Sequence, residues 1–265
     1  MAVEPRTSWT KYDRKTKILR MLGVLVAAVV AVLAWRALHV RYTFVANAAR
    51  NLRDLLGRMY PPNPSYAVEI VPPLVETMNI AILGTGLAIF LSLPIAYLGA
   101  ENTTPNAITY AIGKFLIVGT RSVNVIIWAL FFIIIFGTGA LAGVLAVAFR
   151  SIGFVSKLLA EGIEEIDPGQ VAAIRAVGGS PFDVVVYGIV PQVKPTFVSV
   201  ATYRWDINVR EATIIGFVGA GGIGASLDAS IDFFQWSNVL TILIAMLGVV
   251  LVSEGVSAYL RGKTR

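Results

Sequence analysis

Three stretches of the chain contain no Asp, Glu, Lys or Arg: 24 residues from Thr77 to Ala100, 28 from Ser122 to Phe149, and 21 from Phe233 to Ser253. About 20 apolar residues in a helix cross a bilayer, and lipid forces a spanning segment to satisfy its own backbone. Only 14% of the 265 residues are charged and 56% are hydrophobic, against roughly 25% charged in an average soluble domain. The fold class predicted is all-α: a polytopic membrane protein of about six transmembrane helices.

A first apolar segment, Met21 to Trp35, is closed by Arg20 and Arg36, whose stems can snorkel and extend it toward Val40. It reads as an uncleaved anchor with its basic end in the cytoplasm. Residues 41–75 form a polar segment with a helix-like stretch, "NAARNLRDLLGRMY", expected to lie on the outer interface. The second span is Thr77 to Ala100, followed by a helix over Asn106 to Thr120 lying partly on the inner surface. Gly137, Gly139 and Gly143 divide the long uncharged run into a third span at about 122–137 and a fourth at about 140–160. A fifth is expected at about 193–212 and a sixth at about 237–259. Six spans put both termini in the cytoplasm, in agreement with their Lys and Arg. The chain is read as one transmembrane domain, with residues 1–72 as anchor and external segment and 73–260 as core.

Several function classes lose their chemistry here. No cysteine is present, which removes disulfides and thiolate sites, and the one histidine, His39, sits at the end of the first span. The net charge of +6 is concentrated in residues 1–20 and at Arg261, Lys263 and Arg265, which is charge flanking membrane lipid rather than a nucleic-acid surface. No G-x-x-x-x-G-K-[ST] occurs; Gly113-Lys114 is followed by Phe115. No metal-ligand cluster and no nucleophile beside a base points to an enzyme.

Within "GFVGAGGIG", Gly219, Gly221 and Gly224 fit G-x-G-x-x-G, but a dinucleotide cradle needs a preceding strand and an acid about 20 residues on. Asp228 and Asp232 come too early. Gly219, Gly221 and Gly222 are read instead as a tight packing turn, as part of a gate on a translocation path, or as both. Just before them, "YRWDINVREA" places Arg204, Asp206, Arg210 and Glu211 beside an apolar run. Asp206 and Arg210 are four apart and can pair on one helix face. Either the span ends near Tyr203 and these charges are interfacial, or the helix continues and they face a cavity or a partner. In the second case Arg204 or Arg210 would favour an anion.

The segment "EIDPGQVAAIRAVGGSPFDVVVYGIVPQVKP" predicts two short helices. Asp167, Pro168 and Gln170 suit an N-terminus, and Gly178 or Gly179 an end. Ser180, Pro181 and Asp183 start a second helix that Pro191 limits. The small residues Ala172, Ala173 and Ala176 allow close approach by another surface. An ordinary loop would share this chemistry.

This stretch resembles the conserved loop of bacterial ATP-binding-cassette importer permeases, in which Glu-Ala-Ala, three residues, Gly and a later Pro build the coupling helix. Ala173 and Ile174 stand at the two Ala positions, Gly178 at the Gly and Pro191 at the Pro, while the usual Glu is replaced by Ala172. With "ETMNIAILGTGLAIFLSLPIAYLGAENTTP", "IIWALFFIIIFGTGALAGVLA" and "YRWDINVREATIIGFVGAGGIG", the likeness covers about residues 73–260 and is to the permease subunit of phosphonate-type importers. The resemblance implies a coupling loop at about 161–192 acting through Ala172, Ala173, Arg175, Gly178, Gly179, Ser180 and Pro181. It implies a second permease copy or close paralogue, two cytoplasmic ATPase subunits that hold ATP and magnesium, an external solute-binding protein, and no cofactor on this chain. It places the protein in the bacterial plasma membrane. A permease for inorganic phosphate or methionine, a membrane-embedded enzyme and a channel are the other readings.

Overall fold

The computed structural model describes residues 12–263, and every regular element among them is a helix. The chain divides into two compact units, Met1–Leu56 and Gly57–Arg265.

In the first unit, α1 (Arg14–Ala37) starts earlier than the apolar run, because Asp13 caps it at Arg14 and the basic residues that follow are good helix formers. The exposed α2 (Tyr42–Met59) begins close by, where the Trp35 indole donates to the Tyr42 hydroxyl at 2.8 Å. His39 takes a left-handed backbone, with Nδ1 2.8 Å from the Ala37 carbonyl.

The second unit opens with the short α3 (Tyr66–Glu69) and the long α4 (Val71–Gly99), which continues through Pro94. Next come α5 (Ala107–Ser122), capped reciprocally by Asn106 and Thr109, and α6 (Val125–Phe136), capped by Asn124. These two differ from expectation. A 12-residue helix is about 18 Å long, too short for a hydrocarbon core of about 30 Å, so 122–137 is not a span by itself. The pair meets at 94° across Val123 and Asn124 and qualifies only together as a broken span or re-entrant loop. Nor is α5 a surface helix alone. It packs along α4 and α7 (Ala140–Glu164): a Cβ on Gly113 would lie 2.8 Å from the Gly99 nitrogen, and one on Gly153 would lie 2.5 Å from the Ile117 carbonyl.

The centre of this unit is the contact of α4 with α7, where Ile80, Ala81, Ala146 and Val147 are fully buried. Gly84 lets the backbones approach, since its Cβ would lie 2.7 Å from a Val147 methyl. Small residues are what such contacts require in lipid, where apolar area gains little from pairing.

Beyond α7 lie α8 (Pro168–Ala176) and α9 (Pro181–Asp183), then a π-helical stretch over Val184–Ile189 and α10 (Val190–Ile215). Pro191 therefore does not limit the second helix, which is not short. The missing N–H and the ring's clash with the preceding turn are absorbed by a widened turn whose last bond runs from the Val190 N–H to the Val185 carbonyl. A 3-10 turn and the glycine stretch lead to α11 (Ile223–Asp232) and α12 (Trp236–Lys263). Helices α4, α7 and α12 run from the glycine stretch toward the α8 end, and α10 runs back. Among the described residues, five helices are long and apolar enough to cross a membrane, or six counting the bent pair.

Candidate functional site

Three assemblies lie along α10. At its start is a knob. Asp167 accepts from the Gly169 N–H at 2.8 Å and opens α8. The helix closes in a Schellman turn, with Gly178 at φ 85°, the Gly179 N–H on the Ile174 carbonyl at 3.0 Å and the Gly178 N–H on Arg175 at 3.1 Å. The Ser180 hydroxyl accepts from the Asp183 N–H at 3.2 Å, and the Asp183 carboxylate accepts from the Ser180 N–H at 2.8 Å, which is the reciprocal cap expected from sequence. Val171 and Ile174 pack inward near Val184 and Ile189. Gln192 ties the knob to α10 by accepting from the Asp167 N–H at 2.9 Å and donating to the Gly188 carbonyl at 2.7 Å.

The opposite face of α8 is bare. Ala172, Ala173, Arg175, Gly178, Ser180 and Pro181 are exposed and Gly179 is half-buried. Two apolar residues that sequence reasoning did not single out stand out furthest, Val177 at 85% exposure and Phe182 at 74%. Val177 follows Ile174 by three, which on a continuing helix would turn it inward. The left-handed turn at Gly178 ends the helix and leads the chain away, and Val177 stands exposed.

The middle of α10 carries a polar chain. The helix continues past Tyr203, and two of these charges lie inside the protein: Arg204 is 2% exposed and Asp206 is buried. The Arg204 Nε donates to the Ser151 hydroxyl and its Nη2 to Glu211, both at 2.9 Å. Its guanidinium also lies 5.4 Å from the centre of the Phe154 ring. Asn208, fully buried, donates to the Thr85 hydroxyl at 2.7 Å and lies 2.9 Å from the Ser151 hydroxyl. Asp206 accepts from Arg210 at 2.8 Å and from the Ser253 hydroxyl at 3.1 Å. The Asp206–Arg210 pair is the one read from spacing. The Arg204–Glu211 pair spans seven residues and was missed, because an i,i+4 search does not reach it. Burial of a charge is tolerable only with such partners. Two polar networks thus lie on α10: one links it to α4 and α7 through Thr85, Ser151, Arg204 and Asn208, the other links it to α12 through Asp206 and Ser253, with Arg210 alone substantially exposed, at 45%.

At the far end of α10 stands the glycine stretch, between two helices and with no strand before it among the described residues, so it is not a dinucleotide cradle. Gly219, Gly221 and Gly222 all have positive φ. A Cβ on Gly221 would lie 2.6 Å from a Glu76 oxygen, and one on Gly222 2.5 Å from the Thr77 hydroxyl. That hydroxyl accepts from the Ile223 N–H at 2.8 Å while donating to the Pro73 carbonyl at 2.9 Å. The Gly139 N–H donates to the Gly219 carbonyl at 2.9 Å. The stretch is thus a packed turn that holds the first turns of α4 and α7 together.

The second unit is a bundle of long apolar helices interrupted by an exposed knob, and its sequence places it among membrane transport subunits. Residues 70–265 match the family described as the inner membrane component of binding-protein-dependent transport systems, and the chain belongs to that family. Over 244 residues, 91% of this chain and 89% of the relative, it is 37% identical to the phosphite transport system permease protein PtxC of Stutzerimonas stutzeri. Over 208 residues, 78% of this chain and 39% of the relative, it is also 37% identical to the phosphate-import permease protein PhnE of Mycolicibacterium smegmatis. The fold is that of a chain of the MetNI methionine ABC transporter in its inward-facing conformations, with a TM-score of 0.65 and 20% identity over 77% of this chain and 99% of that one.

Proposed function

We propose that the chain is the permease subunit of an ATP-driven importer for a phosphorus oxyanion of the phosphite, phosphonate and phosphate class. It pairs with a second copy or a close paralogue. Two cytoplasmic ATPase subunits, which bind ATP and magnesium, grip the knobs, and an external binding protein delivers the solute. The knob end and both termini face the cytoplasm, while the glycine turn faces outward. The observation that carries the reading is the knob itself: the small Ala172 and Ala173 and the protruding Val177 and Phe182 give it an exposed apolar surface, and Gln192 anchors it to the helix that crosses the membrane.

In this reading Ala172, Ala173, Arg175, Gly178, Gly179, Ser180 and Pro181 couple to the ATPase. Closure of the ATPases drives the knobs together and switches the path from inward to outward facing. Arg204, Asp206, Arg210 and Glu211 border the path, and Gly219, Gly221 and Gly222 form its outer turn. Likeness to the phosphite and phosphate permeases supports the solute class.

Co-purification tests it. Tagged permease should bring down a stoichiometric ATPase, and Gly178→Asp or Phe182→Asp should lower the recovered ATPase at least about tenfold, the equivalent of about 1.4 kcal/mol. Consistent recovery of intact permease without an ATPase refutes the reading. Uptake of labelled phosphite against unlabelled methylphosphonate, phosphate and methionine then ranks the solutes.

A further inference from the structure

A cleft of about 470 Å³ opens between α5 and α7, lined by Lys114, Arg121, Ser122, Lys157 and Glu161 among apolar neighbours. Its cations follow a pattern. Lys114 and Arg121 are seven apart on α5, and Arg150 and Lys157 are seven apart on α7, so each pair shares a helix face about 10 Å apart. The helices run antiparallel, and the Arg150 guanidinium donates to the Arg121 carbonyl at 3.2 Å. Toward the knob end the charges are answered: Lys157 lies 3.2 Å from Glu161, and Lys114 3.7 Å from Glu164. Among the described residues neither Arg121 nor Arg150 has a carboxylate oxygen within 4.0 Å. The buried Arg204, by contrast, is paired with Glu211.

Arg121 is exposed and Arg150 has one guanidinium nitrogen on the Arg121 carbonyl, so both keep N–H donors and a charge that an anion from outside the chain would answer. Arginine matches a tetrahedral oxyanion better than lysine does, since its planar fork can hold two oxygens at once. We infer that this cleft binds a phosphate-type anion through Arg121, with Arg150, whose guanidinium reaches the Arg121 carbonyl, as a second guanidinium beside it, and with Lys114 and Lys157 raising the local potential. Two sources present this chemistry: the headgroup of an anionic phospholipid and a free phosphorus oxyanion. Only the second rests on the transport reading above.

The test uses the full-length chain, with any ATPase that co-purifies, in nanodiscs of phosphatidylcholine alone or with added phosphatidylglycerol. Native mass spectrometry counts the phosphatidylglycerol retained. In the phosphatidylcholine discs, titration with sodium phosphite and inorganic phosphate, followed by phosphorus NMR, reads free-anion binding. The wild type retains the lipid, binds the free anions, or both, and Arg121→Gln and Arg150→Gln each weaken that binding at least about tenfold. Arg121→Lys restores part of it, and Arg53→Gln, on α2, leaves it unchanged. Lipid retention alone assigns the cleft to a headgroup, and free-anion binding alone assigns it to the solute. If neither probe binds the wild type, or if Arg121→Gln and Arg150→Gln bind as well as Arg53→Gln does, the inference is overturned. No ATP and no transport enter the measurement, so it can fail while co-purification succeeds, and the reverse.

Discussion

The two ends of α10 both rely on glycine at positive φ, but for different reasons. At the knob, Gly178 has open space around the position of a Cβ, so only its backbone angle demands glycine. At the far end Gly221 and Gly222 have the same sign of φ and no room, since a side chain would meet Glu76 or Thr77. One turn is open around its glycine; the other is already filled from within the chain. A left-handed glycine is thus ambiguous in sequence, and the packing around it decides whether it stands open or closes an internal clasp.

Substitutions can break that contrast. The largest effect is expected for Gly222→Ala. Its backbone, at φ 77° and ψ −169°, lies in a region that is essentially glycine-only, and the added methyl collides with the Thr77 hydroxyl. Strain and overpacking together should cost about 3 kcal/mol, read as a fall in the melting temperature of the detergent-solubilised protein. Thr77→Val comes next. It keeps the shape of the side chain but leaves the buried Ile223 N–H without its acceptor, at about 2 kcal/mol. Gly178→Ala should be mildest, at about 1 kcal/mol, with Gly178→Asn milder still because Asn tolerates the left-handed region. Equal losses at Gly178 and Gly222 would erase the distinction. A large loss of ATPase recovery with little change in melting at Gly178 would sharpen it.

A fourth measurement bears on the middle of the helix. Glu211→Gln leaves the buried Arg204 charge without its counter-ion, while Arg204→Met with Glu211→Gln removes both. The single change should cost about 3 kcal/mol, and the double change should recover part of that. Additive losses would show that the two side chains do not act as a pair.

The bundle was legible from uncharged runs, and the knob from its caps, because both signals are local. Asp167, the Gly178 turn and the Ser180–Asp183 box lie within a few residues of what they bond. The 94° break between α5 and α6 was not legible, since an uncharged run reports solvent and not direction, and the capping Asn124 is only the third residue of the run, where a span was expected simply to begin. The outcome at Pro191 was hidden because a widened turn and a helix end begin with the same residue. The polar chain of Thr85, Ser151 and Asn208 was also invisible. Single small polar residues on apolar helices carry no mark of which face they occupy, and their partners are 57 and 123 residues apart.

Helix α10 has 26 residues from Val190 to Ile215, about 39 Å of unbroken backbone. Gln192 fixes one end to the knob and the Ile215–Ala220 turn fixes the other to the clasp. In mechanical terms it is a pushrod: a displacement at either end reaches the other along one covalent column, with no loop on the way to absorb it. Two places can bend: the widened turn at Val184–Ile189, outside the rod and beside the knob, and Pro195, which removes one hydrogen bond within the rod. A displacement of the knob would therefore divide into bending there and travel of the rod.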